Sequence, residues 1–593
     1  MNLNQNLKGG GFLLGPVAPE EIFIPEDFTE EHRMIQDTVR KFMEAEVLPF
    51  PDKFEKTDYA LARSLLLKVG ELGLLGIEIS EEHGGLGLDK ISSTIVSEET
   101  SRNGSFAITM GAHIGIGTLP IVYYGSAFLK EKYLPKLAMA EWVGAYALTE
   151  PGSGSDALAA KTKAVLSPDK KHYILNGNKM WITNGGFADL FVVFAKIDGE
   201  IFSAFVVERA FPGVSTGSEE KKLGIKGSST TTVNFDNVMV PVENLLGEPG
   251  MGGKIALNIL NIGRFKLGAG CTGSCKDVIN SVLKYTAERK QFGKSINQFG
   301  LIQEKIARMA VKTFLTESAS YRIIGQIQKL VDAIDKSASD AELQVLKSIE
   351  EYAIECSIIK VYGSESLGYV SDEGVQCFGG YGYSQEYPVE RPYRDARINR
   401  IFEGTNEINR MIIPGMLLKK GMKGELDILK AIMAVQAEIT EFPAIAEDSG
   451  ELLEQEKRLI ANAKKAVLLA AGAGMKKFKT KLTDEQELLG VVADCIMEIY
   501  ALESGMLRAL KLTALHGEAK TSLLLDMVRV AAVEAMLKID ARLKEGAAAI
   551  ATGDELRMML MAFKRFMKFM PADTKALRRR IAAQLIEQGR YST

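Results

Sequence analysis

The hydrophobic period of this chain changes twice along its length, from helical to alternating and back again. From about Asp27 to Glu141, apolar residues recur at helical spacing: Phe28, Ile35, Val39 and Phe42, then Leu65, Leu66, Val69, Leu72 and Leu75. From about Val143 to Pro249 the period is two and the residues are β-branched and aromatic, as in Phe191 to Phe194, Phe202 to Val207 and Thr231 to Val240. Asn176-Gly177, Asn184-Gly185 and Asp198-Gly199 read as tight turns between those strands. Helical spacing returns from about Gly252 to Lys420. It continues from about Glu425 in a stretch rich in Ala, Leu, Lys and Glu, entered through a break near Glu441-Phe442-Pro443 and the acidic run Glu447 to Glu451. A sequence with period 3.6 cannot present one apolar face as a strand, nor the reverse. The chain is therefore expected to be an α+β multidomain protein: an N-terminal extension (1–26), a helical domain (27–142), a middle β domain (143–250), a helical bundle (251–420) and an additional helical domain (421–593).

Composition narrows what such a fold does. Among 593 residues, 72 Lys and Arg stand against 76 Asp and Glu, a net charge of -4, so a generally basic surface for nucleic acid is excluded. Five cysteines (271, 275, 356, 377 and 495) are too few for a disulfide framework in so long a chain and point to a reducing, cytoplasmic compartment. Lys8 is the only basic residue before Arg33 and the apolar piece Phe12 to Leu14 is short, so no targeting peptide is expected. The stretch from Asn103 to Leu129 lacks charge and is long enough to span a bilayer, but its five glycines and its hydroxyls favour a helix buried in the protein.

Several familiar signatures fail. Gly268, Gly270 and Gly273 spell a dinucleotide fingerprint inside a helical run with no strand before it, where small residues for close helix packing are the better reading. There is no phosphate-binding P-loop. His32, His83, His113, His172 and His516 have no second ligand at metal spacing, and no metal is expected.

Two segments remain. The first runs from Tyr146 to Asp156 and is joined by Met180 to Gly186; its glycines let backbone N–H groups approach a flat ligand, and Trp181 can cover a ring face. By composition alone these are simply loops between strands. The second comprises Gln376 to Tyr383, Tyr393 to Arg397 and Ile401 to Ile408. Within it Glu403 sits between an aromatic residue and a glycine just before a helix start. Apolar shielding would raise its carboxyl toward the range of a general base, although such a residue is more often a solvated loop acid.

These segments, with Arg289 to Gly293 and Gln303 to Met309, resemble the signatures of the acyl-CoA dehydrogenase family, and the extra C-terminal domain resembles its long/very-long-chain branch. The resemblance implies FAD-dependent oxidation of saturated, long-chain fatty acyl-CoA to trans-2-enoyl-CoA, the first step of fatty acid β-oxidation, with electrons passed to an electron-transfer flavoprotein. It implies that FAD is held by Tyr146, Leu148, Thr149, Gly154, Ser155, Trp181, Ile182 and Thr183, and again by Thr405 and Glu407. Arg289, Gln291 and Phe292, with Gln376, Cys377, Phe378, Gly379 and Gly380, would reach the FAD of a neighbouring subunit, making a homodimer at minimum. Ser155, Asn261, Arg264, Phe402 and Gly404 would line the acyl-CoA site, with Gly111 and Ala112 at the far end of the acyl pocket and Gly115 and Gly117 beside them. Glu403 would be the catalytic base; the position before Arg264, where some branches carry the base, is Gly263. The alternatives are an acyl-CoA oxidase and a catalytically idle binding relative. Finally, Arg557 to Arg580 holds eight basic residues and one acid among Met558, Met559, Phe563, Phe566 and Phe569, a composition that fits peripheral contact with a membrane as well as it fits a helix packed on the core.

Overall fold

Thr29, Asp58, Asp89, Asn103 and Ser126 each stand one residue before a helix and accept a backbone N–H from its first turn, at 2.7 to 3.3 Å. Such caps satisfy donors that would otherwise be orphaned. They open α1 (Glu30–Phe42), α2 (Tyr59–Glu71), α3 (Lys90–Thr100), α4 (Gly104–Gly111) and, after the short α5 (Leu119–Tyr124), α6 (Ala127–Ala138). The computed structural model describes residues 5–441 and 450–593. The uncharged stretch is not one helix: α4 ends in a single π turn, Ala112–Gly117, before α5 begins. Thr118 donates to the carbonyl of His113 at 2.8 Å, and three glycines weaken the α-helical register there. Gly104–Tyr124 is long and apolar enough to cross a membrane, but 78% of its most apolar window is buried within the protein.

The middle of the chain forms β1 (Gly144–Ala147), β2 (Lys163–Leu166), β3 (His172–Thr183), β4 (Leu190–Ile197), β5 (Ile201–Glu208), β6 (Val214–Thr216), β7 (Thr230–Pro241) and β8 (Leu245–Leu246). They make one sheet in the order β6-β7-β3-β2-β4-β5-β8, with β1 parallel to β4. Asp198 and Gly199 (φ 52° and 83°) turn β4 into β5 as the dipeptide predicts. Asn176-Gly177 does not turn the chain. It lies inside β3 at a register shift against β7, and a side chain on Gly177 would overlap Thr162. Along β4 and β5 both faces are buried: Phe191, Val193 and Phe205 belong to one apolar cluster with residues of α1 and α2, while Val192, Phe194 and Val206 belong to the cluster of the helices that follow.

Those helices are α7 (Gly252–Glu288), a hairpin of β9 (Lys290–Gln291) and β10 (Lys294–Ser295), α8 (Gly300–Asp332), α9 (Ala341–Glu351), α10 (Ala353–Phe378), α11 (Glu390–Ala396) and α12 (Asn406–Met422). Helices α7 and α10 cross where Gly268 meets Ile359 and Gly363, so the fingerprint-like glycines serve close packing. The remaining helices, α13 (Ile428–Thr440), α14 (Glu454–Phe478), α15 (Gln486–His516), α16 (Glu518–Ile550), α17 (Gly553–Met567) and α18 (Thr574–Gln588), pack onto α8 and α12. Most of the break expected before α14 falls on residues 442–449, outside the described residues. In α17, Phe563 and Phe566 are buried in the core, and Phe569 just beyond its end is partly so; the exposed apolar residues near them are Met558, Met561 and Met570.

Candidate functional site

The turn before α12 is the most constrained backbone near the predicted site. Glu403 (φ 57°) and Gly404 (φ 78°) both occupy the left-handed region, which for a non-glycine residue costs on the order of 1 kcal/mol or more. Thr405 closes the turn by accepting the Ile408 N–H at 3.2 Å, capping α12. The carbonyls are held from three directions. Arg264 Nε donates to the Glu403 carbonyl at 3.3 Å, Lys360 Nζ donates to that of Gly404 at 2.7 Å, and Asn409 Nδ2 reaches those of Gly404 and Thr405 at 2.9 and 3.0 Å. The carboxyl is thereby pressed against α7, where any side chain at Gly263 would overlap it.

Glu403 as a residue is half-buried, but its Oε2 is shut off from solvent and has no hydrogen-bond partner. Burial pushes the carboxyl up to about 7, with Arg264 and Lys360 pulling the other way. A carboxylate that exchanges its proton near neutral pH and has a free lone pair is equipped as a general base. Tyr146, on β1, likewise has a buried hydroxyl without a partner, its ring edge-on to Phe194 at 5.0 Å. Burial, then the proximity of Glu403, pushes this phenol well above its ordinary range, which keeps it neutral.

The two parts of the first predicted segment are joined beneath Tyr146. Lys179 Nζ donates to the Leu148 carbonyl at 3.1 Å and to Glu150 at 2.7 Å, and the Met180 N–H donates to the Thr149 carbonyl at 2.9 Å. A bulge between Lys179 and Ile182 then turns Trp181 outward, with φ 59° and 54% of its surface exposed. The side chains of Leu148 and Ile182 point into the core, so only their backbone can face a ligand; Thr183 is half-buried. Gly154 and Ser155 are exposed, and a side chain on Gly154 would meet nothing within 4 Å.

Arg289, Gln291 and Phe292 lie elsewhere. They form the hairpin after α7, whose tip Phe292-Gly293 has φ 52° and 81° and projects Phe292 with 92% of its surface exposed. Arg289 stands over Tyr381 at 5.3 Å and Tyr285 stacks on Phe378 at 3.9 Å, so the hairpin shares a face with Gln376 to Gly380. Gln376, Gly379 and Gly380 are exposed there, while Cys377 and Phe378 are buried and can offer only backbone. Along α7 the rise from Arg264 to the end of the helix at Glu288 is roughly 36 Å, so within one chain the predicted residues form two separate clusters, as expected if the hairpin group serves a neighbouring subunit.

Near Glu403, Arg264 also donates to Asn261 Oδ1 at 2.8 Å, and both residues are buried; Phe402 is half-buried and Glu407 exposed. Gly111, the last residue of α4, is exposed; in the π turn Ala112 is buried, and Gly115 is both buried and faced by open space, since a side chain there would meet nothing within 4 Å. Gly117 is close-packed on Gly144. His113 fixes the turn by accepting the Gly144 N–H at 3.0 Å and donating to the Leu137 carbonyl at 2.9 Å. Burial pushes its imidazole down to about 4, so it stays neutral. Lys360 and Asn409, which hold the Glu403 turn, are not legible as site residues. The one available signal was a lysine interrupting the apolar run Ile358, Ile359, Val361.

Four family models match the chain: acyl-CoA dehydrogenase N-terminal domain over residues 29–141, middle domain over 145–238, C-terminal domain over 250–418, and a second acyl-CoA dehydrogenase C-terminal domain over 462–565. A probable acyl-CoA dehydrogenase of Bacillus subtilis (strain 168) is 50% identical over 585 residues, 99% of this chain and 98% of that protein. The mitochondrial very long-chain specific acyl-CoA dehydrogenase of Bos taurus is 42% identical over 398 residues, 64% of this chain and 58% of that protein. The crystal structure of an acyl-CoA dehydrogenase complexed with FAD from Bacillus anthracis matches with a TM-score of 0.97 at 49% identity, covering 99% of this chain and 100% of that one.

Proposed function

The chain belongs to the acyl-CoA dehydrogenase family, and from that premise we propose that it oxidises long-chain saturated fatty acyl-CoA to trans-2-enoyl-CoA, opening fatty acid β-oxidation, and delivers the electrons to an electron-transfer flavoprotein. It is an FAD-dependent oxidoreductase, and the residues present fit that cofactor. Tyr146 offers a buried hydroxyl with no protein partner, Gly154 leaves room beside the loop, and Trp181 turns a ring face outward. When bound, FAD supplies the two-electron acceptor for the reaction.

The protein's own part is proton transfer and orientation. Glu403 Oε2 takes the proton from the substrate's α carbon, while the Glu403 N–H, presented by the left-handed turn, polarises the thioester carbonyl. Arg264 and Asn409 hold the Glu403 turn in place during that step. The observation that carries this reading is the carboxyl oxygen of Glu403, shut off from solvent, unpartnered and titrating near neutrality. The test is anaerobic flavin bleaching by saturated acyl-CoAs of increasing length, with wild type and Glu403→Gln side by side. Normal bleaching by the Gln variant would remove Glu403 from the role, and rapid oxygen uptake without another acceptor would make the protein an acyl-CoA oxidase.

Four finer points belong to the same proposal. The void beside Gly115 favours long acyl chains, because each buried methylene contributes up to about 0.8 kcal/mol. The exposed hairpin tip at Phe292, far along α7 from Glu403, favours a dimer in which each subunit completes its neighbour's cofactor site. The five buried, unpaired cysteines favour a reducing, cytoplasmic setting. Contact with an anionic lipid surface would have to use Met558, Met561 and the surrounding Lys and Arg, since the neighbouring Phe563 and Phe566 are buried. Salt-sensitive co-sedimentation with anionic vesicles supports it; its absence leaves α17 as a packed helix.

A further inference from the structure

Lys360 stands on α10 between Ile359 and Val361 with none of its surface exposed. Burying an ammonium is costly unless something compensates it, and among the described residues no carboxylate forms an ion pair with this one. Its partners are instead the two groups that flank the Glu403 turn: the Gly404 carbonyl at 2.7 Å and Asn406 Oδ1 at 2.8 Å. Asn406 is itself fixed, its amide donating to Ser364 Oγ and Glu365 Oε1 at 3.1 Å each. The ammonium is therefore braced from α10 and α12 against the turn that carries the Glu403 carboxyl.

We propose that Lys360 is a positioning residue of the base, acting beside Arg264 and Asn409: its hydrogen bonds to the Gly404 carbonyl and Asn406 hold the strained turn from α10 and keep a buried positive charge next to it. On α7, Arg264 also favours the ionised carboxyl and does so ahead of Lys360, while its donors go to Asn261 and to the Glu403 carbonyl. Cys271 is kept neutral because burial pushes its thiol up to about 12. Cys356, on α10, is likewise pushed above its ordinary range by burial, Tyr146 on β1 stays neutral for the same reason, and Glu407 on α12 points to solvent. Burial pulls Lys360 down to about 8; the Glu403 carboxylate opposes that fall most, with a smaller contribution from Glu407.

The inference rests on Glu403 being the base, and its test separates the two claims. In the FAD-loaded enzyme, the carboxyl stretch of protonated Glu403 is followed by infrared difference spectroscopy against pH and assigned by its loss in Glu403→Gln. Lys360→Gln keeps a hydrogen-bonding head but no charge, and is expected to raise the midpoint by at least about one pH unit, a tenfold tighter hold on the proton. The pH profile of anaerobic flavin bleaching should move with it, while the KM for acyl-CoA stays near wild type. Lys360→Arg keeps the charge and should stay within a few tenths of a pH unit. An unmoved midpoint in a folded Lys360→Gln overturns the proposal. If that variant does not fold, Lys360→Arg decides alone: a rise of about one pH unit overturns it and a wild-type midpoint supports it. Normal turnover by Glu403→Gln would instead sink the base assignment and leave the Lys360–Glu403 coupling standing.

Discussion

Glu403 meets two demands that oppose each other: the carboxyl must be dry enough to hold a proton near neutral pH, yet ionised often enough to accept one. Its position near 7, raised by burial, means that the reductive half-reaction should lose rate as pH falls below 7 and level off above it. A midpoint at the ordinary carboxylate value near 4.5 in the pH profile of flavin bleaching would refute this. Because the folded value is raised, protonated Glu403 favours the native state and ionised Glu403 disfavours it, so this contribution is lost as pH rises through 7. Glu403→Gln should therefore cost on the order of 10² to 10⁴ in rate, yet raise the melting temperature at pH 8 while leaving it nearly unchanged at pH 4. Gly263 offers a complementary test. Replacing a mid-helix glycine by alanine ordinarily stabilises by up to about 1 kcal/mol, but here the new methyl displaces the Glu403 carboxyl. Gly263→Ala should keep FAD and stability while bleaching at least tenfold more slowly, and unchanged kinetics would show that the carboxyl is not seated against α7.

At the scale of elements, alternation and helical spacing identified the architecture because each layer buries one or both faces of a regular period. What pattern could not show is where tertiary contacts override a local signal. Asn176-Gly177 is a strong turn dipeptide, yet β3 continues through it because a glycine is needed against Thr162. The π turn after α4 depends on His113 reaching Leu137 and Gly144, neither of which the local sequence announces. That turn also redirects the chain-length argument: of the small residues there, Ala112 is already packed, whereas Gly115 borders open space. Gly115→Leu should fill the void and lower kcat/KM at least tenfold for chains of about sixteen carbons, with little change at about eight, the loss of two or more buried methylenes being enough. Equal loss at both lengths would mean general damage and remove the channel. The resemblance had already assigned the hairpin group to a neighbouring subunit's cofactor, but motifs give residue types and not the roughly 36 Å along α7 between the two groups.

Across the whole molecule, the N-terminal segment, the bundle and the extra helices are bound into one body by buried charge. Arg508 on α15 donates to Glu317 on α8 at 2.6 Å and to Glu26 of the N-terminal segment at 2.6 Å, and Lys276 on α7 pairs with both Glu317 and Glu98 of α3. The N-terminal segment is tied down further by Lys464 on the Gly15 carbonyl at 3.0 Å and Lys511 on Asp27 at 2.6 Å. It buries Phe12, Leu13, Ile22 and Ile24 beneath the bundle and the extra helices. The helical period, which begins near Asp27, set residues 1–26 apart as an extension, because the partners that make it a strap lie hundreds of residues away. Burial alone would raise the Glu317 carboxyl, but Lys276 and Arg508 override it and hold the group down to about 2. Its contribution is therefore present above about 4.5 and is lost as pH falls toward 2, so the docking of α15 should loosen in that window. Removing one partner of such a network leaves the others buried and unpaired, at a cost of about 3–5 kcal/mol. Arg508→Ala should accordingly lower stability by that order in urea unfolding and speed hydrogen exchange first in α15 and residues 5–27, ahead of the sheet. Deleting residues 1–27 removes Glu26 and leaves Arg508 with Glu317 as its one carboxylate partner among the described residues, so the same substitution in the truncated chain should cost less. If it costs as much there as in the full chain, the strap and Arg508 are not coupled, and the N-terminal segment is held by its apolar residues alone.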